Sequence, residues 1–136
     1  MVGSENIHIQ INSETMPSVH FLGELKNINV EGNLVSVTFA IVPGNEYWNI
    51  RSGAAFGETM TTQTDEIQGV AILNHPIDIH YETSTIEGWP CIVVEVWDKE
   101  NVGHRELLGC GVAWLPTTME NGTMDIPLWH IENEGI

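Results

Sequence analysis

The stretch that decides the fold of this chain is Val35-Ser36-Val37-Thr38-Phe39-Ala40-Ile41. Apolar residues recur there at every second position, which predicts a β-strand with one face against a core. Similar short runs recur at Val19–Leu25, Thr59–Thr64, Ile77–Thr83, Cys91–Trp97, Leu107–Leu115 and Thr123–Trp129. Trp97 and Trp114 lie within these runs, where we expect them to fill the core or to bridge strands. Because glycine-rich and proline-rich turns separate the runs and no helical period appears, we predict an all-β fold, one antiparallel β-sandwich.

The composition fits one domain with its own core, since 42% of the 136 residues are hydrophobic. Four Lys and Arg residues against nineteen Asp and Glu residues give a net charge of −15. Nucleic acids and anionic membranes require clustered cations, so we predict no nucleic-acid binding and no calcium-independent membrane binding. We see no apolar run of bilayer length and no signal peptide, and we expect a cytoplasmic protein.

Cys91 and Cys110 are too few for a disulfide framework and lack the spacing of a zinc site. We predict two buried thiols in a reducing compartment. If Trp97 and Leu107 lie opposite each other in a hairpin, Cys91 faces Ala113 and Cys110 faces Val94, so the two thiols are not expected to be partners.

Catalytic motifs are missing from the sequence, which holds no serine nucleophile elbow, phosphate-binding glycine loop or zinc-binding helix. We therefore predict neither an enzyme nor a bound cofactor. Asp78 and His80 alternate onto one face of a predicted strand, as two metal ligands can. His75 has the opposite parity, and Pro76 is typical of the start of an edge strand. A metal site and a set of hydrogen-bonded structural groups are the two interpretations of this cluster.

The segment Val94–Gly109 resembles the strand, acidic loop and strand of a C2 domain, in which loop carboxylates hold calcium. The resemblance offers Asp98 and Glu100 from this loop, and Asn45 and Glu46 from the opposing loop, as calcium candidates. A calcium-regulated, membrane-binding C2 module is therefore the alternative function. A solvated hairpin loop is the simpler interpretation of the same charges.

Four further segments carry a resemblance that runs from about Ser18 to Trp129 and so covers most of the chain. They are Asn74-His75-Pro76-Ile77-Asp78-Ile79-His80-Tyr81, Glu87-Gly88-Trp89-Pro90, Val94-Glu95-Val96-Trp97 and Leu108-Gly109-Cys110-Gly111-Val112-Ala113-Trp114-Leu115-Pro116. Together they are similar to the signature of the B9-domain family.

The resemblance implies a C2-like sandwich that has lost calcium chemistry and serves as a structural component. Family members assemble with one another in the tectonic-like (Meckel syndrome) complex of the ciliary transition zone, where they support ciliogenesis and the ciliary diffusion barrier. The implied partners are a second small B9 protein, the Meckel syndrome protein and transition-zone membrane proteins. The implied location is the basal body and the transition zone.

The shared residues are candidates for partner contact or for packing: His75, Pro76, Asp78, Gly88, Trp89, Pro90, Trp97, Gly109 and Gly111. Gly88 permits a tight turn that brings Trp89 onto the end of the sandwich, and Pro90 begins the next strand without needing its N–H. Gly109 and Gly111 share one face of their strand, which leaves room for a bulge or for the close approach of another backbone.

We interpret residues 1–17 as an N-terminal extension and 18–136 as the B9 (C2-like) domain. The resemblance implies that relatives continue past the region of Trp129 into a strand that completes the sandwich, and we expect this strand to be lacking here. The alternating isoleucines of Asn6–Ile11 suggest one hypothesis, a replacement strand in the same chain or exchanged into a second copy. A disordered tail is the alternative.

Overall fold

A computed structural model describes residues 17–118 and 122–130 of the chain. Nine strands make up the described part: β1 (Ser18–Asn29), β2 (Leu34–Val42), β3 (Trp48–Gly53), β4 (Phe56–Glu58), β5 (Thr62–Gln63), β6 (Val70–Thr83), β7 (Cys91–Asp98), β8 (Glu106–Trp114) and β9 (Trp129–His130). These residues form no helix long and apolar enough to cross a membrane. The strand predicted at Asn6–Ile11 lies outside the described residues.

The strands form two sheets, and every pairing between them is antiparallel. The smaller sheet has the order β1-β6-β3, and the larger has the order β4-β2-β7-β8-β9 with β5 also paired to β2. The predicted inward face of β2 is confirmed, because Val35, Val37, Phe39 and Ile41 are each no more than 5% exposed. Their partners from the other sheet include Ile79 and Tyr81, so the predicted sandwich is confirmed.

Five of the seven predicted strands are present, and two predictions were wrong. Thr59–Thr64 is not one strand, because the Thr59 hydroxyl accepts the Val37 N–H at 2.9 Å and so interrupts the pairing with β2 after β4 and before β5. Within Thr123–Trp129 only Trp129 belongs to a strand, and residues 126–128 lie against Gly111 of β8 without joining the ladder. The sequence Trp48–Gly53 does not alternate between apolar and polar residues throughout, so β3 was not predicted.

Pro76 lies inside β6 rather than at the start of an edge strand, so that prediction was wrong. Thr83 N–H donates to the Pro17 carbonyl at 3.0 Å, and Ala54 N–H donates to the Asp78 carbonyl at 3.2 Å. Odd-numbered residues of β6 therefore bond toward β1 and even-numbered ones toward β3. The nitrogen of Pro76 faces the β3 side beyond the end of that strand, and no ladder bond is lost there.

The pairing predicted for Cys91 and Cys110 is wrong by one residue. Cys91 lies opposite Trp114 and Cys110 opposite Glu95, because Leu108 is an extra residue that bulges β8. Both thiols are free and half-buried on the outer face of the larger sheet, not buried as predicted.

Candidate interaction surface

Trp89 lies at one end of the sandwich within a cluster of aromatic side chains. Its ring meets those of Phe21 and Trp48 edge to face, with centroids 5.5 Å apart in both pairs. Trp48 is buried and meets Tyr81 in the same manner at 5.7 Å. The indole N–H of Trp89 donates to the Leu115 carbonyl at 2.9 Å. These contacts tie both sheets together at this end, so Trp89 packs within its own chain.

The turn before Trp89 has the geometry expected of a glycine. Gly88 has φ +75°, and a Cβ at this position would lie 2.5 Å from Asn45 Nδ2. Asn45 is held in turn, because its Nδ2 donates to the Glu87 carbonyl at 2.8 Å and its Oδ1 accepts the Tyr47 N–H at 3.0 Å. Pro90 is fully buried and directly precedes β7. The turn is therefore built around a left-handed residue that only glycine adopts without strain.

Gly109 and Gly111 face inward from β8, where a segment of the same chain crosses them. A Cβ on Gly111 would lie 2.6 Å from the Pro127 carbonyl oxygen, and one on Gly109 would lie 2.8 Å from the Trp129 carbonyl oxygen. The backbone that approaches these two glycines closely is therefore that of residues 126–129 of the same chain.

The histidine and aspartate candidates of β6 separate onto two faces. Asp78 points outward, with its Oδ1 2.6 Å from His20 Nε2, and the rings of His20 and His80 stack at 5.0 Å. His75 lies on the inner side, 5.4 Å from the Phe39 ring. Within residues 17–118 and 122–130, no three His, Cys, Asp or Glu side chains are grouped to hold a metal ion.

The four calcium candidates do not form one site. β2 and β7 run antiparallel, so Asn45 and Glu46, which follow β2, lie beside the start of β7, whereas Asp98 and Glu100 lie at its end. The two pairs stand roughly 25 Å apart, the length of these strands. Asp98 Oδ1 accepts the Glu100 N–H at 2.8 Å, and Glu100 Oε1 accepts from Asn33 Nδ2 at 2.9 Å. The expectation that the two loops oppose each other was wrong.

Trp97 bridges strands on the outer face of the larger sheet, as expected. Its indole N–H donates to Thr38 Oγ1 on β2 at 3.1 Å. The guanidinium carbon of Arg105 lies 4.1 Å from the centroid of the indole ring, a cation–π contact.

A charged network surrounds this tryptophan on the same face. Glu58 accepts hydrogen bonds from Lys99 Nζ at 2.5 Å and from the Ser36 hydroxyl at 3.2 Å. The hydrogen bond from Lys99 holds the pKa of Glu58 below its ordinary value, although partial burial opposes the shift. The Glu58 carboxylate therefore stays ionised near neutral pH and pairs with Lys99 on this half of the outer face.

The other half of the same face is apolar. One row crosses four strands through Phe56, Ala40, Val93 and Val112, and the next row crosses three through Val42, Cys91 and Trp114. Trp129 of β9 lies beside Cys110, adjacent to these rows. We call these residues the outer patch: Ala40, Val42, Phe56, Cys91, Val93, Val112, Trp114 and Trp129.

The outer patch is exposed and was missed at the level of sequence. Phe56 is 77% exposed, Trp114 69% and Trp129 65%. Trp114 therefore does not fill the core, which was one of the two roles expected for it. Consecutive apolar residues in β7 and β8 were the available signal, because a strand with only one buried face alternates. Exposed apolar surface of this kind makes the outer patch the candidate interaction surface.

Comparison of the sequence with known proteins identifies one family. A family model described as "B9-C2: Ciliary basal body-associated, B9 protein" matches residues 19–136. The chain belongs to the B9 family. Family membership supports a cilia-related role, and the basal body is the location that the family description names.

Several B9 relatives are similar over most of the chain. B9 domain-containing protein 2 of Mus musculus is 30% identical over 117 residues, and that of Homo sapiens is 29% identical over the same length. B9 domain-containing protein 1 of Drosophila melanogaster is 28% identical over 104 residues, which cover 66% of this chain and 43% of the relative. The match to the mouse protein covers 85% of this chain and 65% of the relative, so the chain spans less than two thirds of its length. No solved structure matches the chain significantly.

Proposed function

We propose that this B9 chain is a non-enzymatic structural component of the tectonic-like (Meckel syndrome) complex at the ciliary transition zone. It binds other B9-domain proteins, namely a second small B9 protein and the Meckel syndrome protein, and through them approaches transition-zone membrane proteins. In this role it supports ciliogenesis and the ciliary diffusion barrier.

The observation that carries the proposal is the outer patch. Large aromatic side chains that stand exposed on a rigid sheet are typical anchors of protein–protein interfaces. Trp114 and Trp129 provide two such anchors, and the strands beneath them hold the backbone fixed. The charged half of the same face, with Glu58 and Arg105, supplies a polar rim on one side.

The experiment is co-elution of the full chain with a second small B9 protein and a Meckel-type protein, comparing Trp114→Asp with Ile67→Asp. Both variants replace a largely exposed apolar side chain with a carboxylate, and Ile67 lies outside the outer patch. Loss of an aromatic anchor weakens binding by roughly 30-fold or more, so Trp114→Asp should abolish co-elution. Ile67→Asp should co-elute like the wild type, and both variants should keep the wild-type melting temperature.

Two results would contradict the proposal. Failure of the wild-type chain to bind either protein removes the proposed function itself. Binding that survives Trp114→Asp removes the outer patch as the contact surface.

A further inference from the structure

A groove of about 800 Å³, lined more by apolar than by polar surface, opens between the two sheets on the side of β1. Its walls are half-buried side chains from β1 and from residues 126–128. Phe21 and Leu25 line one wall, Ile126 and Leu128 line the other, and the floor reaches core residues of β7 such as Val94. The smaller sheet is thus too narrow to cover the inner face of the larger one.

The strand that borders this groove has a free edge. Among residues 17–118 and 122–130, β1 pairs with β6 alone. Since Pro17 accepts a ladder bond from β6, the alternation of an antiparallel pair directs the N–H and C=O groups of Ser18, His20, Leu22 and Glu24 away from β6. An edge of twelve residues with unpaired backbone groups beside this groove is a template for one more strand.

We propose that residues 6–11 of this chain occupy the position, as an antiparallel strand on the free edge of β1. Ile7, Ile9 and Ile11 alternate with polar residues, so one face of the added strand is apolar. Opposite residues of a pair share a face, and Ile9 therefore lies opposite Val19 or Phe21, whose side chains face the groove. Residues 6–11 cover about 20 Å of the edge.

The same chain is a better source of this strand than a second copy. With Ile9 opposite Val19, residues 12–16 form the connection into β1, a length common in hairpins. A tethered segment acts at a high effective concentration, whereas two copies that each carry a net charge of −15 repel one another.

The test is amide hydrogen exchange in the full chain, with Ile9→Asp compared with Gln10→Asp. Both variants add one negative charge to the same segment, but only Ile9 faces the groove. In the wild type, the amides of His20 and Leu22 should exchange as slowly as those of Val19 and Phe21, which bond to β6. Ile9→Asp should speed exchange at His20 and Leu22 by roughly 100-fold while Gln10→Asp leaves it unchanged.

Deleting residues 1–13 gives an independent measurement. The deletion should lower the melting temperature by roughly 5 °C or more, because the groove is uncovered. Fast exchange at His20 and Leu22 in the wild type overturns the proposal, as does equal loss of protection in the two variants. An unchanged melting temperature and an unchanged oligomeric state after the deletion also overturn it. Protection that disappears on dilution, as a dimer dissociates, overturns it too, because it would identify a second copy as the source of the strand.

Discussion

Tyr81 is the residue whose chemistry fits its surroundings least well. It is 1% exposed, and its hydroxyl finds no hydrogen-bond partner among the described residues. A buried hydroxyl without a partner costs free energy, so Tyr81→Phe should raise the free energy of unfolding by about 1 kcal/mol. Tyr47 is 54% exposed, so Tyr47→Phe is the matched control and should leave the free energy of unfolding unchanged. A loss of stability in Tyr81→Phe, measured by urea denaturation, would show that the hydroxyl is bonded.

The same substitution has a consequence at high pH. Burial raises the pKa of Tyr81 above its ordinary value of 10.0, because the phenolate is poorly solvated inside the sandwich. As the pH rises above 10, Tyr81 loses its proton in the unfolded chain before it does so in the folded chain. The stabilisation that is present below pH 10 therefore declines. Tyr81→Phe removes this part of the alkaline destabilisation. Above pH 10, the free energy of unfolding of the variant should therefore fall less steeply with pH than that of the wild type.

Among the elements, β8 carries two glycines against which a segment of the same chain packs. A Cβ on Gly111 would meet the Pro127 carbonyl and the side chains of Ile126 and Leu128. Gly111→Ala should therefore displace residues 126–128 from the inner face of the sheet and destabilise the fold by about 1–3 kcal/mol. Gly23→Ala is the matched control, since Gly23 lies in β1 with nothing within 4 Å of the added atom. Equal melting temperatures for the two variants would show that the segment adapts to the methyl group.

Strand identity could be predicted wherever one face is buried. β2 alternates because its inner residues pack between the sheets, and the runs that became β1, β6, β7 and β8 were found by the same rule. Register could not be predicted, because the bulge at Leu108 depends on neighbouring strands and moves Cys91 from Ala113 to Trp114. The position of Pro76 inside β6 likewise depends on where β3 ends.

The candidate site was less predictable than the fold. The motif residues Gly88, Trp89 and Pro90 were identified from the sequence, and the structure shows what they pack against in their own chain. The outer patch was not identified, because its rows form only when distant segments pair. Phe56 and Val112 belong to one row although 56 positions of the sequence, 112 minus 56, separate them.

At the scale of the whole molecule, the unequal sheets create both surfaces described above. The larger sheet extends beyond the smaller one, which leaves the groove on its inner side beside β1. Its outer side carries the outer patch, which faces away from the groove. A strand can therefore complete the sandwich at β1 without competing with a partner that binds Trp114.

Net charge decides whether the isolated protein binds lipid on its own. The described cations are largely engaged within the chain, because Arg51 pairs with Glu82 at 2.5 Å, Lys99 pairs with Glu58 and Arg105 lies over Trp97. A charge of −15 without a basic patch is repelled by an anionic surface. In a sedimentation assay with chelator, binding to phosphatidylserine vesicles should not exceed binding to neutral phosphatidylcholine vesicles. Lowering the salt should not promote binding, because weaker screening strengthens the repulsion.

Calcium should not change that result at sub-millimolar concentration. A C2-type site needs carboxylates that converge from opposing loops, and Asp98 and Glu100 lie at the opposite end of the sandwich from Asn45 and Glu46. Calcium-dependent sedimentation with phosphatidylserine, together with a rise in melting temperature on adding the metal, would contradict the prediction. Absence of both effects would support the proposal that this chain approaches membranes through the proteins that it binds.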